Sequence, residues 1–385
     1  MSYFLLPEIH NNIDEIHLQT NEDNNLYVSL TLNHYLNNVK KQIDENYDKW
    51  DFVKRYTNPY EFIHTVVPKT KYSVSKMKPL SRSFYKMIEI VKTFDLFNEF
   101  NEQPINTFHL AEGPGGFIEA TDYLRKNKND TYYGMTLLDE DPSVPGWKKT
   151  NHFLQTHPNI KIEGGSTGTG DLLEVDNLVY CNNKYKNQFD IVTADGGFDF
   201  SIDFNQQEIL ATNLLLAQVS FAISIQKIGG HFILKIFDIF TKTTCDIMYL
   251  LSSLYKQVYI VKPSTSRLAN SEKYIVCKGF RRYPEKLINN IINDYNTLKQ
   301  TKYISSILNF NIDYFFINKI EEYNAIFGQQ QIENINNTLN LFSCRNNNDK
   351  MELLKKNNIQ KCIRWCETHN IERNENLMSA NIFMT

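Results

Sequence analysis

The feature that most constrains this chain is the segment 107–120, TFHLAEGPGGFIEA. Residues 107–111 are apolar and strand-like, and the helical spacing of Phe117, Ala120 and Leu124 predicts a helix directly afterwards. The turn between them, from Glu112 to Gly116, consists of an acid, three glycines and a proline. A strand, a glycine-rich turn and a helix N-terminus together form a ready binding site for a nucleotide-like ligand.

The residues of this turn narrow the choice of ligand. The dinucleotide fingerprint needs a third glycine at position 118, where Ile118 stands. No Gly-Lys-Ser/Thr follows, so the turn is not a phosphate-cradling P-loop. Glu112 at its entrance suits a ligand with a cationic amine, a carboxylate and no phosphate, and S-adenosylmethionine has those groups. An ordinary turn between a strand and a helix is the alternative.

Length, charge and cysteine content bound the class of protein. A chain of 385 residues can bury a full core in one large or two smaller domains. Its net charge of −3 argues against wrapping long nucleic acid, although it leaves room for gripping one end of an RNA. Six cysteines without a CxxC pair favour a soluble, intracellular protein, in the nucleus, the cytoplasm or a virus factory. We expect neither a signal peptide nor an apolar run long enough to cross a bilayer.

The order of elements predicts an α/β fold. Strands and helices alternate through the centre of the chain, which is typical of a mostly parallel sheet covered by helices on both faces. A short loop before 273–280 makes that last strand antiparallel. The seven expected strands are 107–111, 131–137, 159–163, 189–194, 231–237, 257–262 and 273–280, and 26–32 is a further candidate. The expected helices are 34–55, 83–100, 116–126, 205–227, 242–254 and 351–369.

The chain divides into three predicted parts. A helical or mixed extension occupies 1–80, the central domain 81–280, and a C-terminal helical extension packed on the core 281–385.

Four charged residues stand where solvated charge is not expected. Asp195 ends the apolar strand FDIVTAD, and Lys235 lies inside the apolar run GGHFILKIF. Glu272 begins the last strand, and Lys86 lies on the helix before the glycine-rich turn. Ligands of open α/β sheets bind at the carboxyl ends of the strands, where Asp195 and Lys235 would point. Taken singly, each residue has an ordinary alternative as a cap or as a lysine whose amine reaches solvent.

Two lysines and two carboxylates suit the deprotonation of a weakly acidic hydroxyl. A lysine acts as a base only when burial and a neighbouring cation lower its pKa. Lys86 would supply that second cation beside Lys235, while Asp195 and Glu272 would orient the two amines. The four residues together with the glycine-rich turn favour a catalytic site over a structural network.

The sequence resembles the FtsJ-like (RrmJ-fold) ribose 2′-O-methyltransferases, and within them the cap-specific mRNA (nucleoside-2′-O-)-methyltransferases that make cap 1. The matching stretches run in the family's order from about residue 50 to about residue 280. They are NPYE, AEGPGGF, YYGMTL, GTGDL, ADGGF, NQQEIL, GGHFILKIFDIFT, KPSTSRLANSEKY and IVCKGF. The resemblance implies a Rossmann-like S-adenosylmethionine-dependent methyltransferase, with Lys86, Asp195, Lys235 and Glu272 as its catalytic tetrad and Lys235 as the base.

The resemblance also implies the binding residues, and it implies no metal. Those for S-adenosylmethionine are Ser81, Ala111, Glu112, Gly113, Pro114, Gly115, Gly116, Phe117, Asp171, Leu172 and Asp195. Those for the RNA are Asn205, Gln206, Gln207 and Asn270, and Lys41 to Asp44 and Lys54 fall near cap-contacting positions.

The implied reaction is methyl transfer to the 2′-hydroxyl of the first transcribed nucleotide of capped RNA. The implied partners are the capped RNA 5′ end and other capping enzymes or RNA polymerase, without a membrane. Methylation of another ribose, at the second cap nucleotide or in ribosomal or transfer RNA, is an alternative that the tetrad cannot distinguish. A catalytically silent RNA-binding subunit is another, although such a subunit has no chemical need for Lys235.

Several further features each have two interpretations. Lys69, Lys71, Lys76, Lys78 and Arg82 form either a solvated run or a clamp for RNA phosphates. Trp50, Tyr56 and Tyr60 are candidates for stacking on N7-methylguanine. Cys362, Cys366 and His369 lack standard zinc spacing, so we expect them to pack in the core. We expect Asp139, Glu140 and Asp141 to form a solvated loop, and GGSTGTGD at 164–171 to shape the cofactor pocket rather than hold phosphate.

Overall fold

The computed structural model describes residues 1–20, 26–44, 47–100, 103–139, 141, 144, 146–197, 206–301, 303–343 and 347–377. These residues form an eight-stranded sheet in the order β1-β7-β8-β6-β5-β2-β3-β4. The strands are β1 Ser2–Leu5, β2 Asn106–Leu110, β3 Thr131–Met135, β4 Ile160–Ile162, β5 Phe189–Ala194, β6 Gln226–Ile236, β7 Tyr255–Lys262 and β8 Lys273–Phe280.

The central strands are parallel and one flank of the sheet is antiparallel. β2 pairs in parallel with β3 and β5, β3 with β4, and β5 with β6. β8 lies antiparallel between β6 and β7, which confirms the predicted antiparallel last strand. β2 has β3 and β4 on one side of it in the sheet, and the chain then crosses to the other side of β2 to form β5. The strand order therefore reverses between β2 and β5, which opens a crevice at their carboxyl ends.

Two predictions about strands were wrong, both near the N-terminus. The sheet has an eighth strand because Ser2–Leu5 pairs antiparallel with β7, and four residues are too few to show a period in the sequence. Residues 26–32 do not form a strand. Leu26 makes a single bridge to Thr241, and a helix begins at Leu30.

Helices cover both faces of the sheet. They are α1 Leu30–Asp44, α2 Tyr47–Thr57, α3 Ser83–Phe94, α4 Gly116–Arg125, α5 Asn151–Thr156, α6 Val175–Tyr185, α7 Gln207–Ile225, α8 Lys242–Leu254, α9 Glu285–Asp294, α10 Asn296–Gln300, α11 Tyr314–Ser343 and α12 Asn348–Thr368. Short 3-10 helices lie at Glu61–Ile63, Asn98–Phe100, Trp147–Lys149 and Glu375–Leu377. The helix expected at 34–55 corresponds to α1 and α2, between which residues 45–46 lie outside the described residues.

Helix α7 corrects the expectation about membrane-crossing length. Among the described residues it is long and apolar enough to span a bilayer by length and composition, at 19 residues and a mean hydropathy of 1.6. However, 78% of its most apolar stretch is buried inside the fold. Because a buried core helix needs such a sequence, its packing accounts for its apolar character.

One apolar core joins segments from the two ends of the chain. Leu6 near the N-terminus, Phe108 on β2 and Tyr323 on α11 belong to the same cluster of buried side chains. A second cluster joins α1, α2 and α11 through Leu36, Val53 and Ile335, among others. The division into three parts stays a prediction, and the flanking helices pack directly on the sheet domain or on one another.

Candidate active site

The glycine-rich turn follows β2 and is shaped by its own backbone. Gly115 has a φ of +108°, a backbone conformation that residues other than glycine rarely adopt. Its N–H donates to the Glu112 carbonyl at 2.7 Å. A Cβ added at Gly115 would meet side chains of Leu80, Thr150 and Trp147 at 3.4–3.6 Å. Glycine is thus required here by backbone conformation more than by space.

The N-terminus of α4 sits tightly against the start of α3. A Cβ at Gly116 would overlap the hydroxyls of Ser81 and Ser83, which are hydrogen-bonded to each other. Glu119 on α4 accepts a hydrogen bond from the Leu80 N–H at 2.7 Å. Ser81, predicted from the resemblance alone, therefore lies beside the turn.

Glu112 caps helix α4 with one carboxylate oxygen. Its side chain is buried, and its Oε1 accepts hydrogen bonds from the N–H groups of Phe117 at 2.7 Å and Ile118 at 3.0 Å. Burial raises the pKa of Glu112 to about 8, although these two N–H groups oppose the rise. A cationic group placed beside this carboxylate would restore its charge.

The loop 163–171 closes the crevice on the β3 side. A Cβ at Gly170 would overlap the Thr136 carbonyl, so the loop lies against the segment that follows β3. Asn177 holds it, because its Oδ1 accepts from the Thr167 N–H at 3.0 Å and its Nδ2 donates to the Asp171 carbonyl at 2.9 Å. These bonds fix the loop's shape, in keeping with a role in forming a pocket.

Asp171 and Leu172 end this loop and differ in what their side chains do. The Asp171 carboxylate accepts from the Leu173 N–H at 2.9 Å. Leu172 is buried in the core, and its carbonyl accepts from the Tyr295 hydroxyl at 2.7 Å. Only the backbone of Leu172 or the edge of its side chain could therefore contact a ligand.

Asp195 and Lys235 meet because their strands are in register. Ala194 on β5 pairs with Leu234 on β6, so the next residue along each strand lies at the same edge of the sheet. The Lys235 Nζ lies 2.6 Å from the Asp195 carbonyl oxygen and 3.4 Å from its Oδ1. A Cβ at Gly197 would come within 3.2 Å of the Lys235 Nζ, so a glycine at this position leaves room around the amine.

Lys86 and Glu272 form a second, closer ion pair. The Lys86 Nζ lies 2.7 Å from Oε1 and 2.8 Å from Oε2 of Glu272. Burial lowers the pKa of Lys86, and the Glu272 charge opposes that change. Burial alone would raise the pKa of Glu272, but the charges of Lys86 and Lys235 hold it well below its usual range.

Tyr274 connects the two pairs and was missed in the sequence. Its hydroxyl donates to Asp195 Oδ1 at 2.9 Å and lies 3.5 Å from the Lys86 Nζ, which donates to it. Burial raises the pKa of Tyr274 well above its usual value, and Asp195 raises it further, so the hydroxyl keeps its proton. Tyr274 is the cross-strand neighbour of Lys235, and that pairing is not visible in the sequence.

The predicted RNA-contacting residues lie at the same edge where the structure describes them. Gln206 is exposed at the start of α7, and Gln207 Oε1 accepts from the Ser271 hydroxyl at 2.6 Å. Asn270 accepts hydrogen bonds from Lys262 through its carbonyl at 2.7 Å and its Oδ1 at 2.8 Å. Asn205 lies outside the described residues. The start of α7 and the loop before β8 therefore face each other beside the tetrad.

The predicted cap-side lysines have different surroundings. Lys41 is exposed on α1, while its neighbour Lys40 forms a buried ion pair of 2.9 Å with Asp238, which follows β6. Lys273 lies 3.4 Å from the same carboxylate. Lys54 pairs with Asp51 inside its own helix. Helix α1 is therefore attached to the edge of the sheet where Asp195 and Lys235 meet.

The NPYE motif braces the loop 263–272 that leads to Glu272. Arg267 donates to Glu61 through two nitrogens, at 3.0 Å and 2.6 Å. Asn58 Oδ1 accepts from the Leu268 N–H at 3.3 Å. Burial would raise the pKa of Glu61, but the hydrogen bond and charge of Arg267 and the charge of Arg82 lower it to about 2. The motif thus acts through a loop that is distant in sequence.

The aromatic candidates for cap stacking are mostly core residues. Trp50 and Tyr56 are buried against α11, which excludes them as stacking surfaces in this conformation. Tyr60 is only partly buried and stays a candidate. Cys362 and Cys366 are buried in the core, as predicted, and His369 hydrogen-bonds the Trp365 carbonyl. Within the described ranges, no group of three or more His, Cys, Asp or Glu side chains could hold a metal.

The basic segment is largely solvated. Lys69 and Lys76 form exposed ion pairs with Glu352 and Glu372, at 3.1 Å and 3.2 Å. The remaining members are Lys71 and Lys78, which are exposed, and Arg82, which donates to the Thr265 carbonyl at 3.0 Å. Asp139 and Asp141 are also exposed, as expected for a solvated loop, and Glu140 lies outside the described residues.

Known families and proteins match this chain over the sheet domain. Residues 79–280, just over half of the chain, match the family model of FtsJ-like methyltransferases. The chain is 34% identical over 246 residues to mouse cap-specific mRNA (nucleoside-2′-O-)-methyltransferase 1, covering 58% of this chain and 27% of the relative. It is 28% identical over 350 residues to the corresponding methyltransferase 2 of Pongo abelii, covering 86% of this chain and 44% of the relative.

Other matches extend this set. The human methyltransferase 1 is 38% identical over 181 residues, covering 45% of this chain and 21% of the relative. The chain spans less than half the length of each of these curated relatives. Among solved structures, human methyltransferase-like protein 13 in complex with SAH covers 62% of this chain and 99% of its own, at 12% identity and a TM-score of 0.36.

Proposed function

Because this chain belongs to the FtsJ-like methyltransferase family, we propose that it methylates the 2′-hydroxyl of the first transcribed nucleotide of capped RNA, with S-adenosylmethionine as the donor. The observation that carries the proposal is the meeting of Lys86, Asp195, Lys235 and Glu272 at one edge of the sheet. The names of the curated relatives supply the capped substrate.

The glycine-rich turn fits S-adenosylmethionine by its chemistry. The methionine end of that molecule carries an ammonium group, and the buried Glu112 has a raised pKa that such a cation would lower. Ser81 and residues 111–117 would hold the methionine end, Asp171 and Leu172 the adenine, and Asp195 the side nearest the reaction. S-adenosylmethionine would supply an activated sulfonium methyl group, whose carbon the ribose oxygen would attack in line, with the thioether S-adenosylhomocysteine as the leaving group.

The residues of the chain mainly align the hydroxyl and move its proton. A neutral Lys235 amine, held by the Asp195 carbonyl at 2.6 Å, accepts the proton as the ribose oxygen bonds to the methyl carbon. The oxygen thereby exchanges its hydrogen for a methyl group, and the amine becomes an ammonium. Lys86 places a second positive charge near this step, and Glu272 keeps it in place. A positioned general base of this kind contributes about 10²–10⁴-fold.

Recognition of the capped end belongs to the segments around this edge. Lys41 projects from α1, which the Lys40–Asp238 ion pair attaches to the segment after β6. Gln206, Gln207 and Asn270 would contact the RNA beside the tetrad in our proposal, and Asn205 and Lys54 complete the predicted set. Other capping enzymes or RNA polymerase as partners, and an intracellular location, are part of the same proposal.

A labelled-methyl transfer assay tests the proposal. Purified chain would receive labelled S-adenosylmethionine and RNAs that end in an N7-methylguanosine cap, an unmethylated cap or a triphosphate, and nuclease digestion would locate the label. We expect label on the ribose of the first transcribed nucleotide of capped RNA and none with the Lys235→Ala variant. Label at another ribose would show that the substrate is a different nucleotide. Binding of RNA without methyl transfer would indicate a catalytically silent subunit.

A further inference from the structure

Lys262 is a buried lysine beside the tetrad that no part of the proposed reaction uses. It is the last residue of β7 and is only 6% exposed. Its Nζ donates to the Asn270 carbonyl at 2.7 Å, to Asn270 Oδ1 at 2.8 Å and to the Glu272 carbonyl at 2.6 Å. All three acceptors belong to the end of the loop that Lys262 itself begins.

The number of acceptors matches the chemistry of a lysine ammonium group. An ammonium has three donor hydrogens and no acceptor, and a buried charged group is costly unless it is paired and hydrogen-bonded. Here three oxygens lie within 2.8 Å of the Lys262 Nζ, one for each hydrogen. Burial lowers the pKa of Lys262, and the charges of Lys273 and Lys86 lower it further. Glu272 and Asp238 oppose this change, and the three acceptor oxygens favour the charged form. The fit of three donors to three oxygens indicates a built contact rather than a chance burial.

The loop 263–272 is braced at several points, but Lys262 holds the end that carries the catalytic carboxylate. Glu89 accepts hydrogen bonds from the Ser264 and Thr265 N–H groups, and Glu61 holds Arg267. Near the tetrad, the Ser266 hydroxyl donates to Glu272 Oε1 at 2.8 Å. Lys262 fixes the backbone of the same residue.

We propose that Lys262 is a positioning residue for methyl transfer, which holds Asn270 and Glu272 so that Glu272 keeps Lys86 at the catalytic edge. This inference rests on the proposed function. Lys262 acts through the residues it binds and does not itself reach the reacting atoms. Because Asn270 is a predicted RNA contact, the loss of the Lys262 amine should affect RNA recognition as well as the rate of methyl transfer.

The test compares Lys262→Met with Lys256→Met, which removes an exposed lysine from the same strand. Lys262→Met should lower kcat by about 10- to 100-fold, because a displacement of about 1 Å near the chemistry can cost 10²-fold. It should raise KM for capped RNA and leave the S-adenosylmethionine affinity within about twofold, since the glycine-rich turn lies elsewhere. Lys256→Met should match wild type. Equal kcat in the two variants would overturn the inference.

A double-mutant cycle with Glu272→Gln separates a positioning role from an independent one. If Lys262 acts through Glu272, adding Lys262→Met to Glu272→Gln should lower kcat by less than about threefold further, because residues that act as a unit are not additive. Losses that multiply would contradict the inference. Should Lys262→Met fail to fold, Lys262→Arg takes its place; it keeps the charge but not the compact shape, so an intermediate loss supports the inference and wild-type kcat overturns it.

Hydrogen exchange gives a readout that does not depend on activity. Lys262→Met should speed amide exchange in peptides covering 263–273 and leave peptides covering 111–117 unchanged, whereas unchanged exchange in both would overturn the inference. If wild type transfers no methyl group to capped RNA while exchange still changes as expected, the proposed function has failed and the positioning contact stands.

Discussion

The two ion pairs at the catalytic edge are built in different ways. Asp195 and Lys235 come from the ends of two neighbouring parallel strands, so the register of β5 and β6 alone brings them together. Lys86 and Glu272 come from a helix and a loop outside those strands, and they meet only because several contacts hold the loop. The proposed base is therefore placed by the sheet, and the proposed second cation by packing around the sheet.

The two ion pairs also differ in the roles that we propose for them. The strand pair includes the amine that we propose takes the proton, and it also has a backbone carbonyl as its nearest partner. The helix–loop pair is the more buried of the two and holds its lysine with both carboxylate oxygens. Since a buried ion pair is weak evidence of stabilisation, its value here is better explained by the position it gives to Lys86.

The largest effect should come from breaking the strand pair. Lys235→Ala should lower kcat by about 10²–10⁴-fold, the range for a lost general base, with little change in affinity for cofactor or capped RNA. The matched control is Lys227→Ala on the same strand, an exposed lysine paired with Asp190. Single-turnover methyl transfer measures both. If kcat of Lys235→Ala fell by less than about tenfold, Lys235 would not be the general base.

Breaking the helix–loop pair should reduce stability as well as activity. Glu272→Gln leaves the Lys86 ammonium buried without its counter-charge, which typically costs about 3–5 kcal/mol of unfolding free energy. The control is Glu322→Gln, in an exposed pair with Lys319, whose unfolding free energy should stay close to that of wild type. Urea unfolding of both variants at neutral pH measures the difference. Equal stability of the two would show that the pair is not effectively buried.

The pH dependence of that difference has a definite sign. The folded pKa of Glu272 lies below its usual value, so the ion pair's contribution is present above the unfolded pKa of about 4.3. It is lost as the pH falls through the folded pKa, so the stability gap between wild type and Glu272→Gln should narrow below that unfolded value.

A smaller effect should follow at Glu112 on the cofactor side, a residue that belongs to neither ion pair. Glu112→Gln should weaken S-adenosylmethionine binding about 10- to 150-fold, the range for a lost charged hydrogen bond of about 1.5–3 kcal/mol. Calorimetry measures this, with Asp139→Asn on an exposed loop as the control. Affinity within twofold of wild type would place the ligand's amine elsewhere.

The same substitution should stabilise the protein without cofactor at alkaline pH. Burial raises the folded pKa of Glu112 to about 8, so its contribution to stability is present below the unfolded pKa and is lost as pH rises to that value. A glutamine has no proton to lose. Glu112→Gln should therefore melt above wild type at pH 9 and close to it at pH 5.

The smallest effect on binding should come from the basic segment that precedes helix α3 and Lys86. Charge reversal at Lys76 and Lys78 should weaken RNA binding modestly and leave cofactor binding alone, with Lys356→Glu on α12 as the exposed control. We expect a shallow wild-type salt dependence, of about two to four phosphates at a slope of about −0.7 each for single strands. A slope suited to ten phosphates would mean a far larger RNA footprint.

The parts of the fold that were predictable from sequence have local signals. The strands β5 and β8 and the helix α8 were predicted to the residue, because long apolar runs and turn residues mark them. Asp195 and Lys235 were chosen as candidates because charges at or inside apolar runs are unusual, and the family resemblance supported all four tetrad residues. Strand β1 was not predicted, because it depends on pairing with β7 more than on a local pattern.

The missed site residues share one property. Tyr274, Lys262 and Arg267 all act through partners that are close in space and set by the register of β6, β7 and β8 or by the path of one loop. In the sequence each reads as an ordinary residue of a motif. The opposite error occurred for Trp50 and Tyr56, where nearness to a predicted cap site suggested binding and packing proved to be their role.

The most direct test of the central claim is single-turnover methyl transfer by Lys235→Arg. This variant keeps the positive charge beside Asp195, but a guanidinium cannot give up its proton near neutral pH and so cannot act as a base. With S-adenosylmethionine and capped-RNA affinities near wild type, we predict a rate at least about 100-fold below wild type, at the lower limit for a lost general base. A rate above about a tenth of wild type, well short of that range, would show that Lys235 only positions the substrate, and would contradict the account.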